Sequence, residues 1–287
     1  MYKHVLVATG GSPWSNAAVS YGIALAARMG AKLRILTVLT NPGSYATPDV
    51  MGATDMIVDL VERQGQELLA LAATQAAAAG VTCSTIHRWG GIPETILQTA
   101  ADEQCELIVL GSRMVSGWKR LQLGRIANAV ASKSKQPVLV VKEPPPPGER
   151  LPLWRRMLVA TGGSPWSDIA VEHAMSLAQA HHFEVVLLHV LPKRRRGRDL
   201  SSDEGTSLLA LAEARAKASG IPFTSILAQG DVSSTIIATA MDQGCNGIIL
   251  GSRGIGGWKR LMLGNISNAV AVKAAIPVLI VKRFPPL

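Results

Sequence analysis

The octapeptide ATGGSPWS stands at residues 8–15 and again, unchanged, at 160–167. A second pair of segments follows in the same order. GSRMVSGWKRLQLGRIANAV runs from Gly111 to Val130, and GSRGIGGWKRLMLGNISNAV from Gly251 to Val270. Extended to Lys133 and Lys273, 16 of 23 positions are identical. Identity at that level, in matching order along the chain, requires two copies of one fold, which 287 residues accommodate as two ordinary domains. The boundary is Glu143-Pro144-Pro145-Pro146-Pro147-Gly148-Glu149-Arg150, a semi-rigid polyproline spacer at about 3.1 Å per residue. The expected division is residues 1–142, a linker over 143–153, and 154–287. The second copy is twelve residues shorter between its motifs, and the basic run KRRRGR near Lys193 to Asp203 replaces a longer loop. That run reads as a solvated charged loop.

Within each copy, apolar runs alternate with segments of helical spacing. Residues 4–9 form a β-branched run ending at Gly10-Gly11-Ser12-Pro13, where Ser12 suits an N-cap and Pro13 the first helical position. Leu33 to Leu39 is the next strand, and an Ala/Leu-rich helix then ends at Gly80. Strands over Val81 to His87, Glu106 to Gly111 and Pro137 to Lys142 follow, separated by helices over Ile92 to Gln104 and Gly124 to Ser134. Strands written as continuous apolar runs, such as LIVL and VLVV, belong to a parallel sheet covered on both faces. The expected fold class is therefore α/β, two doubly wound five-stranded Rossmann-like domains in tandem.

In such sheets ligands bind at the carboxyl ends of strands where the winding switches direction. The repeated loops sit there, after the first and fourth strands of each copy. Glycines 251, 254, 256 and 257 let backbone N–H groups approach an anion, and Gly264-Asn265 opens a helix whose first N–H groups are unpaired. This is the build of a phosphate cradle. Its first-half counterpart has Met114, Ser116 and Arg125 in place of Gly254, Gly256 and Asn265. Arg113 and Arg253 can meet phosphate bidentately or form surface salt bridges. Lys119-Arg120 and Lys259-Arg260 are weaker candidates, and Trp14, Trp118, Trp166 and Trp258 read as loop anchors.

Other chemistries find little support. Neither GxxxxGK[ST] nor GxGxxG occurs in strand-turn-helix context, and no acid pair, His/Cys cluster or Ser/His/Asp set recurs in both halves. No catalytic and no metal-ligating residues are assigned. His87 and His189 read as core residues, and His181-His182 sits at a helix C-terminus, where the dipole favours a cation. Cys83, Cys105 and Cys245 form no CxxC; Cys105 and Cys245 read as small buried hydrophobes in a reducing cytoplasm. The N-terminus carries no signal-peptide pattern and no apolar stretch reaches ~18 residues, so a cytoplasmic protein without membrane contact is expected. A net charge of +9 favours anionic partners, yet aromatics are only 4%, without the stacking platform of nucleic-acid binders.

The layout resembles a tandem universal stress protein over nearly all of residues 1–142 and 154–283. Nucleotide-binding members carry G-x2-G-x9-G-[ST] after the fourth strand, which Gly251, Gly254 and Gly264 match, with Asn265 in the Ser/Thr place and Ile266 following. In the first half only Gly111 and Gly124 match, with Arg125 in that place. The family's V-A-x-D-G-S segment at the end of the first strand is VATGGS here, so Gly10 and Gly162 replace an Asp that lies near ribose or metal. The resemblance implies ATP or a related adenine nucleotide as cofactor, held by Thr161, Gly162, Gly163, Ser164, Gly251, Arg253 and the cradle. Val38 and Val190 would flank adenine, and Thr9, Gly10, Gly111, Arg113, Gly124 and Arg125 would form a weaker first site. No divalent metal is expected without the Asp. It also implies pairing of domains through the fifth strand, within the chain or in a homodimer. A nucleotide-binding regulator with little or no turnover leads. A dimerisation scaffold with vestigial cradles is the alternative, and an adenylating enzyme is a third reading, from the loose likeness of Thr9-Gly10-Gly11-Ser12 to an SGGxDS loop.

Overall fold

The computed structural model describes residues 2–40, 54–113, 123–142, 154–192, 202–253 and 263–282. The first half runs β1 (His4–Thr9), α1 (Pro13–Met29), β2 (Lys32–Leu39), α2 (Thr54–Ala78), β3 (Cys83–Trp89), α3 (Ile92–Asp102), β4 (Leu107–Gly111), α4 (Arg125–Lys133) and β5 (Val138–Val141). The second repeats it as β6 (Arg156–Thr161), α5 (Pro165–His181), β7 (Glu184–Pro192), α6 (Ser202–Ala218), β8 (Phe223–Gly230), α7 (Val232–Asp242), β9 (Gly247–Gly251), α8 (Asn265–Lys273) and β10 (Val278–Val281). The Pro-rich linker, the KRRRGR run, Met114, Gly254, Trp118, Trp258 and the two Lys-Arg pairs lie outside the described residues.

The strands form one sheet in the order β3-β2-β1-β4-β5-β10-β9-β6-β7-β8. Pairing is parallel within each half, with β1 between β2 and β4 and β6 between β7 and β9. The halves meet at β5 and β10, which run antiparallel with Leu139 opposite Leu279. Each of these two strands thus has a neighbour on both sides and leaves no open edge at the centre. The direction of winding reverses at β1 and β6, which opens a crevice at their carboxyl ends.

Two apolar layers cover the sheet. Residues of α1, α2, α5 and α6 pack on one face with Val5, Val7, Leu139, Leu279 and Val281, in a core continuous across both halves. Residues of α3, α4, α7 and α8 pack on the other with Leu6, Leu36, Val140, Leu188 and Ile280. The alternation follows from period two: successive central-strand side chains point to opposite, equally buried faces. Trp154, fully buried, meets Phe183 edge to face with centroids 6.0 Å apart. Across the halves, Tyr2 Oη is hydrogen-bonded to His173 Nε2. Burial holds the Tyr2 phenol well above its usual pKa and lowers His173 to about 4, so both stay neutral near pH 7. Arg28 Nη2 donates to the His181 carbonyl at 2.6 Å, which ties α1 to the end of α5.

Local signals set the helix starts. Ser12 and Ser164 are extended N-caps whose hydroxyls accept from Ser15 N and Ser167 N, with proline next in line. Gly80, at φ 69, follows the end of α2. Two histidine expectations need correction. His87 is exposed, because β3 is an edge strand with one face toward solvent. His181 does close α5, but burial first, then the nearby Arg28 charge, lowers its pKa and opposes the cation that the helix dipole would favour. His189 is buried as expected, with Nδ1 at 2.9 Å from the Thr161 carbonyl. Cys105 and Cys245 are buried and burial pushes both thiols up to about 11, which suits packing more than reactivity.

Candidate functional site

At the carboxyl ends of β6 and β9 a cleft of about 270 Å³ opens on the α7 and α8 face. Thr161, Gly162 and Ser164 line it from the β6 turn, Gly251 and Arg253 from the end of β9, and Ile266 and Ser267 from the first turn of α8. Val232, Ile236 and Leu250 supply an apolar wall. Pocket walls of apolar side chains with a few convergent polar groups are the usual form of a small-molecule site.

The polar frame is tightly bonded. Ser164 N donates to Ser167 Oγ at 3.0 Å while Ser167 N donates to Ser164 Oγ at 3.1 Å, a closed capping box at the start of α5. Ser167 Oγ also donates to the Ser164 carbonyl at 2.7 Å. Ser267 Oγ donates to the Gly251 carbonyl at 2.6 Å and pins the first turn of α8 to the end of β9. Gly264 N donates to the Ser252 carbonyl at 2.9 Å, so backbone closes the loop at the entrance to α8. The loop glycine Gly264 is the N-cap of α8, with no side-chain cap competing for the first N–H groups of that helix.

Arg253 stacks over Trp166, its guanidinium carbon 4.8 Å from the ring centroid, and Arg113 sits likewise 5.2 Å over Trp14. Such stacking contributes about 0.5–1 kcal/mol at partly exposed sites and holds the planar fork in a defined orientation. Trp14 and Trp166 thereby anchor the cradle's first arginine. Nearby, Lys282 is buried after β10 and donates to the Ala131 carbonyl of α4. Burial first, and then the Arg253 charge, lowers its pKa to about 8.

Gly111 and Gly251 have a packing reason that the sequence did not reveal. A Cβ on Gly251 would lie 2.3 Å from the Trp166 carbonyl oxygen, and one on Gly111 2.1 Å from that of Trp14. The first turn of α1 or α5 lies against the end of β4 or β9, so glycine is required there whatever the ligand. Gly163 is also constrained, at φ +68 with Leu208 2.7 Å from a Cβ position. Gly10 and Gly162 differ: a Cβ at either meets nothing within 4 Å.

Several expected residues stand apart from the cleft. Val190 is buried in the apolar layer on the cleft's face and does not line it, and Gly163 and Asn265 are exposed beside it. In the first half, Gly10 and Val38 line a cavity of about 490 Å³ with Thr37, Gly65 and Leu68, on the opposite, α2 face of the sheet. Thr9 is buried at the end of β1, and Gly124 N there donates to Ser112 Oγ at 3.3 Å. Arg125 begins α4 and is exposed, and Ala127 takes the place of Ser267. Ser267 and Lys282 are site residues that sequence reasoning missed. A Ser in place of Ala127 between otherwise matching repeats was the available signal for Ser267; a lysine ending an apolar strand gave none for Lys282.

Among the described residues no group of three or more His, Cys, Asp or Glu side chains could hold a metal ion, and no helix is long and apolar enough to cross a membrane. The universal stress protein family model matches residues 1–142 and again 153–282. A universal stress protein of Bacillus subtilis is 32% identical over 148 residues, covering 45% of this chain and all of the relative. One from Mycobacterium tuberculosis is 25% identical over 311 aligned positions, covering 98% of this chain and 95% of its own. The crystal structure of a universal stress protein from Archaeoglobus fulgidus superposes with a TM-score of 0.79 at 25% identity, over 99% of this chain and 100% of its own. The chain belongs to the universal stress protein family, as a tandem of two of its domains.

Proposed function

We propose that this chain is a cytoplasmic regulator that binds ATP or a related adenine nucleotide in the cleft between β6, β9 and α8, with the first half weaker and little or no turnover. The supporting observation is the convergence in one cleft of the β6 turn, the stacked Arg253 and the first turn of α8. Phosphate would lie toward Arg253 and the free N–H groups of α8, where charge and helix dipole both favour an anion. The base would lie toward Val232, Ile236 and Leu250. At about 270 Å³ the cleft is close to the lower end of the ~300–1,000 Å³ range of ligand pockets, a size for one nucleoside. Among the described residues the cleft's reactive side chains are hydroxyls, of which Ser167 and Ser267 donate to backbone carbonyls.

The test is to extract purified protein, identify any nucleotide released, and titrate ATP, ADP and AMP into the stripped chain by calorimetry. Binding that Arg253→Ala weakens supports the proposal. A nucleotide-free extract with no heat on titration would leave the scaffold reading, which the antiparallel β5·β10 seam and its continuous core favour.

A further inference from the structure

The nucleotide-binding reading leaves open in which charge state the ligand is held. Divalent magnesium or calcium is held by oxygen ligands, carboxylates foremost. Among the described residues, the cleft's lining side chains include no carboxylate. At Gly162, where the family resemblance implies an Asp, the direction a side chain would take is empty to 4 Å, and Gly10 is the same in the first half. Of the two acids next to lining residues, Asp231 caps α7, its Oδ1 accepting from Ser234 N at 3.0 Å, and Asp168 faces α6, where Arg215 Nη1 holds it at 3.2 Å. Of the lining hydroxyls, Ser167 donates to the Ser164 carbonyl and Ser267 to the Gly251 carbonyl. The donor set therefore does not fit a divalent cation.

The same region is rich in fixed positive charge. Arg253 is oriented by Trp166, and Lys282 is buried nearby, its pKa lowered first by burial and then by the Arg253 charge. A divalent cation here would meet like charge, with no carboxylate among the described lining residues, whereas an uncomplexed phosphate would meet Arg253 and the N–H groups of α8.

We propose that the second-half cleft takes its nucleotide as a metal-free anion, with Arg253 and the α8 backbone amides standing where a divalent ion would otherwise balance the phosphate charge. This rests on the nucleotide-binding reading, and Gly162 is the position that decides it. Magnesium complexation removes negative charge from the ligand and gains no protein ligand in return. Free ATP is thus bound at least as tightly as its magnesium complex.

The experiment is calorimetric titration of ATP into the full chain, in EDTA and in excess magnesium chloride, for wild type and Gly162→Asp. Manganese EPR reads bound metal in parallel. The expected wild-type result is a dissociation constant in EDTA no weaker than in magnesium, with no protein-dependent manganese signal. The side chain of Gly162→Asp enters open space, so the variant folds, and its binding becomes roughly tenfold tighter with magnesium than without, about 1.4 kcal/mol. Wild-type binding that requires magnesium overturns the inference, and so does a Gly162→Asp variant indifferent to it. Absence of binding under both conditions overturns the nucleotide reading itself.

Discussion

The two cradles share a backbone and differ in how each is closed. In the second half, Gly264 N reaches the Ser252 carbonyl and Ser267 pins α8 to the Gly251 carbonyl. In the first, Gly124 N takes the Ser112 hydroxyl, and the counterpart of Ser267 is Ala127. Arg125 replaces Asn265 at the first residue of the helix, so one cradle carries a side-chain cation where the other is neutral. Duplication preserved what the sheet needs, the strand ends and helix starts, while the ligand-facing positions diverged.

The shared part should respond equally in both halves. Gly111→Ala and Gly251→Ala each drive a methyl into a backbone carbonyl in the first turn of α1 or α5, and each should destabilise by about 3 kcal/mol in urea unfolding. A large loss at one with a neutral result at the other would break the equivalence of the two scaffolds. The ligand-facing part should respond in one half alone. Removing the charge-assisted contact with Arg253→Ala should weaken nucleotide binding roughly tenfold or more, and Arg113→Ala less than twofold, by calorimetry.

A smaller effect separates the closures. Ser267→Ala removes one buried hydrogen bond and leaves the Gly251 carbonyl without it, at about 1 kcal/mol in urea unfolding, while Ala127→Ser gains little. The last contrast concerns the buried lysines that end β5 and β10. Burial lowers Lys142 and Lys282 to about 8, from an ordinary 10.5, with Arg253 adding to the effect at Lys282. Lys282 donates to the Ala131 carbonyl, whereas Lys142 Nζ is buried with no hydrogen-bond partner among the described residues. Below pH 8 folded and unfolded chains both hold these protons, and the burial penalty stands in full. Between about pH 8 and 10.5 the unfolded chain retains protons that the folded chain has shed, so stability from this source rises with pH. Lys142→Met should stabilise the protein at pH 7 more than Lys282→Met, and both should flatten that rise in a pH series of unfolding curves.

Much of this architecture was legible because local and global signals agree. Ser12-Pro13 and Ser164-Pro165 announce helix starts, LIVL and VLVV announce central strands, and the repeat fixes that what holds for one half holds for the other. The expectation missed where tertiary contact overrides local pattern. Gly111 and Gly251 look like phosphate-approach glycines, yet the Trp14 and Trp166 carbonyls already require them. His87 sits in an apolar-looking run that turns out to be an edge strand. Arg253 and Trp166 lie far apart in sequence, and their stacking depends on β6 and β9 being neighbours, which spacing alone does not specify. Lys142 and Lys282 end their strands, and their burial is not marked by anything in the sequence around them.

The most direct test of the unequal pair is the stoichiometry of nucleotide binding, by calorimetric titration of ATP in EDTA into the nucleotide-stripped chain. The account predicts one tight site per chain, weakened by Arg253→Ala and unchanged by Arg113→Ala. Two equivalent sites, or a single site lost with Arg113→Ala, would contradict it.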